Sequence, residues 1–163
     1  MRIALPLLLT SALAAAQPGC APPDEMALAQ LNAARAQPQR CGAEVWPAVP
    51  PLRWQPQLAE AAQGYALELA ARDRVSHVGV AGESLARRVR ASGYPMRRAG
   101  ENLAGGLETL DEVLAHWLAS AAHCENLMAP DFQDAALACV RGPGELGFYW
   151  VLNLGRPMGS GRR

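Results

Sequence analysis

Apolar residues recur at helical spacing in one long segment. In PQLAEAAQGYALELAARDR (56–74), Leu58, Ala62, Tyr65 and Leu69 fall at i, i+4, i+7 and i+11. That spacing predicts a helix with one apolar face, and Pro56 suits its first turn. A second stripe, Leu110, Val113, Leu114 and Trp117, runs through TLDEVLAHWLAS (109–120). There Thr109 with Glu112 three positions on predicts a capping box. DEMALAQLNAARA (24–36) predicts a helix with Asp24 as N-cap and Met26, Ala27, Leu31 and Ala34 on one side. ESLARRVRAS (83–92) and AAHCENLM (121–128) predict two short helices. Gly93 and Pro95 end the first, and Ser120 is the natural N-cap of the second. QPQRCGAEVWPAVPP (37–51) is full of breakers and reads as a loop, as does SHVGVAG (76–82), while AGENLAGG (99–106) reads as extended or looped.

The pattern then changes to near-continuous apolar runs, AALACVR (135–141) and GFYWVLNLG (147–155), with GPGE between them. A hairpin is the economical reading. Helices first and strands last predict an α+β fold with helices packed on an antiparallel sheet. No internal repeat or linker interrupts residues 24–155, and the tail RPMGSGRR (156–163) reads as flexible.

Composition narrows the class without changing that picture. The chain has 163 residues, 50% hydrophobic and 18% charged, which suits one globular domain with a real core. Its formal net charge is zero, and no charge run suggests a nucleic-acid-binding tail. All 15 basic residues are arginine, and Arg87, Arg88, Arg90, Arg97 and Arg98 lie close together in sequence. Such clusters are commonly solvated surface, and a phosphate-binding patch is the sharper alternative.

The N-terminus carries an export signature. Arg2 precedes the apolar run IALPLLLTSALA, which is too short to span a bilayer as a helix, and Ala14-Ala15-Ala16 supplies a small-residue cleavage site. Residues 1–16 therefore read as a signal peptide, followed by an extended lead-in at 17–23. A lipoprotein would be acylated on Cys20, but Gln17-Pro18-Gly19 is a poor match to the required apolar start, so a secreted or periplasmic protein without an anchor is expected. Export makes the four remaining cysteines, Cys20, Cys41, Cys124 and Cys139, read as two disulfides. Three pairings are open, and spacing does not choose among them.

Three histidines are present: His77, His116 and His123. His77, His123 and Glu101 fall on loops or helix starts, where side chains from distant segments can share a cleft. Two histidines and a carboxylate suit either a divalent metal such as zinc or proton transfer. His116 sits among apolar neighbours and reads as a partly buried structural residue. Ser120 lacks a nucleophile elbow. Cys124 as a nucleophile would have to stay reduced outside the cytoplasm.

SHVG, GENLAGG, HWLASAAHCENLM and YWVLNLG, in that order, resemble the CAP superfamily: cysteine-rich secretory, antigen 5 and pathogenesis-related-1 proteins, or SCP-like domains. The likeness is to the short bacterial branch and covers residues 24–155. It implies a three-layer α-β-α sandwich with a mostly antiparallel central sheet and a polar cleft. By this resemblance His77, Glu101 and His123 form the cleft triad, with His77 and His123 as metal ligands if a metal binds. Asn126 matches the family's asparagine, and with Ser120 it is expected to bind ligand. Ser120 stands where some relatives carry a second acidic residue, and Ala121-Ala122 replaces a usual Pro-Gly. The resemblance also implies the pairings Cys41–Cys124 and Cys20–Cys139.

Fold and family do not fix an activity. The expected function is an extracytoplasmic binding module whose cleft takes a lipid, cell-wall or protein ligand. The alternatives are a metal-assisted hydrolase, protease-like or cell-wall-directed, using the same triad, and a plain structural surface protein.

Overall fold

The computed structural model describes residues 20–159. The expected signal peptide, residues 17–19 of the lead-in and residues 160–163 of the expected tail lie outside them. Five helices and six strands follow in order: α1 (Asp24–Arg35), β1 (Gln39–Cys41), β2 (Glu44–Trp46), β3 (Arg53–Trp54), α2 (Pro56–Arg72), α3 (Leu85–Ala91), β4 (Met96–Gly105), α4 (Leu110–Ala119), α5 (Ala121–Met128), β5 (Asp134–Arg141) and β6 (Phe148–Pro157). Among these residues no helix is long and apolar enough to cross a membrane.

The central sheet has the order β3-β5-β6-β4. β4 and β5 each pair antiparallel with β6, and only the two-residue β3 runs parallel, to β5. Side chains alternate between the faces of a strand, and the core divides accordingly. Leu137 and Cys139 of β5, with Trp150, Leu152 and Leu154 of β6, pack against Ala27 and Leu31 of α1 and Val113 and Trp117 of α4. Ala138, Val140, Tyr149 and Val151 face the other way, onto Ala62, Tyr65 and Leu69 of α2. Helices therefore cover both faces, which makes the α-β-α sandwich.

The helix ends follow local chemistry. Thr109 Oγ1 accepts from the Glu112 N–H at 3.3 Å while the Glu112 carboxylate accepts from the Thr109 N–H at 3.0 Å, completing the capping box of α4. α2 ends on Asp73, whose backbone is left-handed at φ 46°. Its carboxylate accepts from the N–H groups of Glu145 and Leu146 and from the Tyr149 hydroxyl, fastening the β5–β6 connection to the helix.

Several local expectations are corrected. Asp24 is the first helical residue of α1, the N-cap is Pro23, and no side chain caps it. Met26 is exposed, and Arg35 takes the buried position instead. The breaker-rich 37–51 segment contains the β1–β2 hairpin, turned at Gly42 with φ +64°. β6 continues through Arg156 and Pro157, two residues into the expected tail. Ser120 sits at the N-cap of α5 but makes no side-chain cap hydrogen bond.

Two disulfides, Cys20–Cys139 and Cys41–Cys124, join the four cysteines, with Cα separations of 5.1 and 5.3 Å. The Cys20 sulfur is thereby bonded to β5. Cys41–Cys124 pins α5 to the small hairpin. Arg35, fully buried, fastens the same helix from the other side, donating to the carbonyls of Leu127 and Ala129 as well as to Pro50. Burial lowers its pKa to about 10, still leaving it charged at neutral pH. The helix bearing His123 is thus held at its middle and at its C-terminal end.

Candidate functional site

β4 is an edge strand, and the site straddles it. Leu103 packs with the α2 cluster and Ala104 with the α1–α4 cluster. By alternation Glu101 points to the α2 side and Asn102 to the α5 side. His77, from the loop after α2, and His123, from α5, both line an open cleft of about 820 Å³ that also takes in Glu101 and Asn126. The two histidines approach it from opposite faces of the sheet.

On the α2 side, the His77 Nδ1–H donates to Glu101 Oε1 at 2.8 Å, and the Arg88 guanidinium donates to Glu101 Oε2 at 2.7 Å. The Glu101 side chain is 2% exposed and Arg88 is 11% exposed, whereas His77 is 60% exposed. Arg88 also donates to the carbonyl of Glu83 and lies 3.4 Å above the centre of the Tyr65 ring. A buried carboxylate thus has both oxygens engaged, and it fixes the His77 ring with Nε2 as the free nitrogen. The hydrogen bond to Glu101 raises the His77 pKa, against opposition from partial burial and from Arg88.

On the α5 side, the Asn102 Nδ2 donates to the His123 carbonyl at 3.0 Å, and the Asn126 Nδ2 donates to Asn102 Oδ1 at 2.9 Å. Gly100 lets α5 come this close: a Cβ there would lie 2.5 Å from Asn126 Oδ1 and 2.7 Å from the Phe132 ring. His123 makes no bond to Glu101. Its Nδ1 is buried with no hydrogen-bond partner among the described residues. Burial first, then the charges of His116 and His77, lowers its pKa. Protonation would bury an N–H with no acceptor, so the neutral ring with an outward Nε2–H is the favoured form.

The two histidines respond to pH with opposite sign. The folded pKa of His77 lies above its unfolded value of about 6.5, so its contribution to stability is complete below that pH and is lost as pH rises through the folded value. The folded pKa of His123 lies below about 6.5, so its contribution is present above that pH and is lost as pH falls through the folded value. In urea titrations, His77→Ala is expected to cost more at about pH 5.5 than at about pH 8.5, and His123→Ala the reverse. Parallel pH profiles for wild type and both variants would show that the rings do not differ in this way.

Tested as a metal centre, the site fits poorly. Among the described residues, no group of three or more His, Cys, Asp and Glu side chains converges to hold an ion. Both Glu101 oxygens are taken, one of them by a cation. A metal-ligating histidine normally donates its second N–H to an acceptor; His77 has one in Glu101, and His123 Nδ1 has none. No step is derived through a metal.

The other residues that the sequence singles out separate. Ser120 lies at the α4–α5 corner and is not part of the cleft wall. His116 is exposed rather than buried, with its ring 6.2 Å from that of His123. Arg88 was hidden in the arginine cluster. Its signal was position: with Leu85 and Val89 it lies on the inward face of α3, where an arginine needs a buried partner.

Comparison with known proteins follows the same lines. Residues 28–154 match the family model described as Cysteine-rich secretory protein family, CAP. Among solved structures, the fold is similar to an extracellular protein containing an SCP domain from Bacillus anthracis, with TM-score 0.66 and 22% identity over 82% of this chain and 40% of that one. The chain therefore spans well under half of that relative. It is also similar to an outer surface protein of Borrelia burgdorferi, with TM-score 0.62 and 23% identity over 68% of this chain and 80% of that one. A cysteine-rich secretory protein of Staphylococcus aureus matches with TM-score 0.53 and 13% identity, over 82% of this chain and 40% of the other. At these identities the likeness concerns the fold. No curated protein matches the sequence.

Proposed function

We propose, for a chain that belongs to the Cysteine-rich secretory protein (CAP) family, that it is an exported binding module whose cleft takes a lipid, cell-wall or protein ligand. The observation carrying this reading is the Arg88–Glu101–His77 chain at the cleft wall. A buried ion pair holds one half-exposed ring so that a single nitrogen faces an open cleft, an arrangement suited to recognising a polar group. The candidate nucleophiles are otherwise engaged or placed: Cys124 is in a disulfide and Ser120 is off the cleft wall. Export supports the same reading, because two disulfides persist in an oxidising compartment. The Bacillus anthracis relative is itself described as extracellular.

Thermal shift on the oxidised protein tests this, with anionic phospholipid vesicles, a muropeptide digest and zinc as probes. Vesicles or muropeptides are expected to raise the melting temperature of wild type and not of the His77→Ala/His123→Ala variant. Zinc is expected to act equally on both. Vesicles or muropeptides that stabilise both proteins alike would clear the cleft of responsibility. Turnover of muropeptides or casein by wild type alone would replace binding with hydrolysis.

A further inference from the structure

The cleft contains main-chain groups as well as side chains. The Gly106 N–H donates to the Phe148 carbonyl at 3.0 Å, in line with the pairing of Gly105 with Tyr149 and Ala104 with Trp150. Antiparallel partners alternate between bonded and non-bonded pairs. The bonded pairs therefore fall on the even residues of β4, which include Gly100 and Asn102. The Gly142 N–H to the Gly147 carbonyl, at 2.9 Å, sets the opposite parity on β6 toward β5, as a central strand requires. Ala99, Glu101 and Leu103 consequently turn their N–H and C=O groups away from β6. The Leu103 carbonyl is taken by the Trp117 indole N–H at 3.0 Å. Among the described residues, neither Ala99 nor Glu101 has a main-chain hydrogen bond on this outer side.

Those two residues line the cleft. Glu101 as a whole is 8% exposed although its side chain is 2% exposed, so the accessible part is chiefly main chain. Natural sheets usually block an open edge with a bulge, a proline or a covering element. Here the pairing irregularity lies earlier, between Met96 and Arg98, and Trp117 closes the edge only at Leu103. Between them, unpaired donors and acceptors stand at strand spacing in a cleft of about 820 Å³.

We infer that the outer edge of β4 at Ala99–Glu101 is a strand-addition site, where an extended peptide completes the sheet through main-chain hydrogen bonds. The inference rests on the binding-module reading and names the ligand class for the same cleft. An added strand would alternate its side chains across the sheet plane. One set would meet His77, Ser84 and Leu85, and the other His123, Glu125 and Asn126, all of which line the cleft. This accounts for a single cleft whose two histidines lie on opposite faces of the sheet. Main-chain pairing would supply affinity, and these two half-sites would select sequence.

The test uses octapeptides selected from a random displayed library against the whole oxidised chain, and the same peptides N-methylated at alternate residues. In the free protein, the amides of Ala99 and Glu101 are expected to exchange with solvent much faster than those of Gly100 and Asn102. A selected peptide should slow exchange at Ala99 and Glu101 at least about tenfold, as a new hydrogen bond does. N-methylation in the matching frame should abolish this. Ala99→Pro removes only an outward N–H, which an edge strand tolerates, and should weaken peptide binding at least about tenfold if each main-chain bond is worth about 1.4 kcal/mol. Equal exchange at all four amides, or equal binding of the N-methylated peptides, would overturn strand addition without needing any variant. Vesicles or glycan fragments that bind Ala99→Pro and wild type alike, but not the double-histidine variant, would overturn it while leaving the binding module standing. Probes that move no cleft residue would overturn both.

Discussion

Arg88→Ala is expected to destabilise the protein by about 3–5 kcal/mol, because it leaves the Glu101 carboxylate buried without its cation. Both partners are nearly inaccessible, at 11% and 2% exposed, so solvent offers little screening. The guanidinium also stacks on Tyr65 and donates to the Glu83 carbonyl, and those contacts go with it. Arg88→Lys should recover only part of the loss, since a point charge cannot serve the carboxylate, the carbonyl and the ring face together. Adding Glu101→Gln to Arg88→Ala should restore stability relative to Arg88→Ala alone. Urea unfolding of wild type, both single variants and the double variant gives the coupling energy. Strict additivity would show that the two charges do not depend on each other. His77 supplies a second readout: Arg88 opposes its protonation, so its pKa should rise further in Arg88→Ala.

Loss of Cys41–Cys124 should be comparably costly. The bridge spans 83 residues, for which chain entropy gives an upper figure of about 4–5 kcal/mol. In a domain of this size that corresponds to a fall in melting temperature of about 10 °C or more. Cys41→Ser/Cys124→Ser tests it by calorimetry, with Cys20–Cys139 left intact. The loss should concentrate on α5, because the hairpin and Arg35 are what hold that helix. The Asn102–His123 and Asn102–Asn126 hydrogen bonds should then loosen before the sheet does, seen as faster exchange in α5 than in β6. A loss below about 1 kcal/mol would show that Arg35 alone suffices to dock the helix.

Legibility in the sequence followed the size of the local signal. The stripe of α2 and the capping box of α4 were readable because a few residues at fixed offsets determine them. The β5–β6 hairpin was readable from two apolar runs around Gly-Pro-Gly. The β1–β2 hairpin was not: its strands are three residues each, too short for an alternating pattern, and its place depends on Cys41 reaching Cys124 across the chain. Met26 is exposed on α1, and Arg35, for which the stripe gave no role, is buried because it donates to the backbone carbonyls at the end of α5. That His77, Glu101 and His123 would lie along one cleft was legible by motif, and their role there was not. Arg88 stood out from the other four clustered arginines only by its spacing with Leu85 and Val89, and its partners meet it only on folding. The same holds for His116, whose nearness to His123 arises from the α4–α5 corner.

The sheet order also bears on how the chain reaches this state. Among the paired strands of the central sheet, only β5 and β6 are neighbours in sequence. Arg53 must find Asp134, and Arg98 must find Arg156, before either pairing repays the closure of a long loop. Such non-local topologies fold slowly, toward milliseconds to seconds. The cysteines nearest each other along the chain are Cys20 with Cys41 and Cys124 with Cys139, yet both native bridges cross between these pairs. Oxidation that outruns assembly of the sheet would therefore favour the wrong partners, and the correct bonds would be reached by thiol exchange after the core has formed.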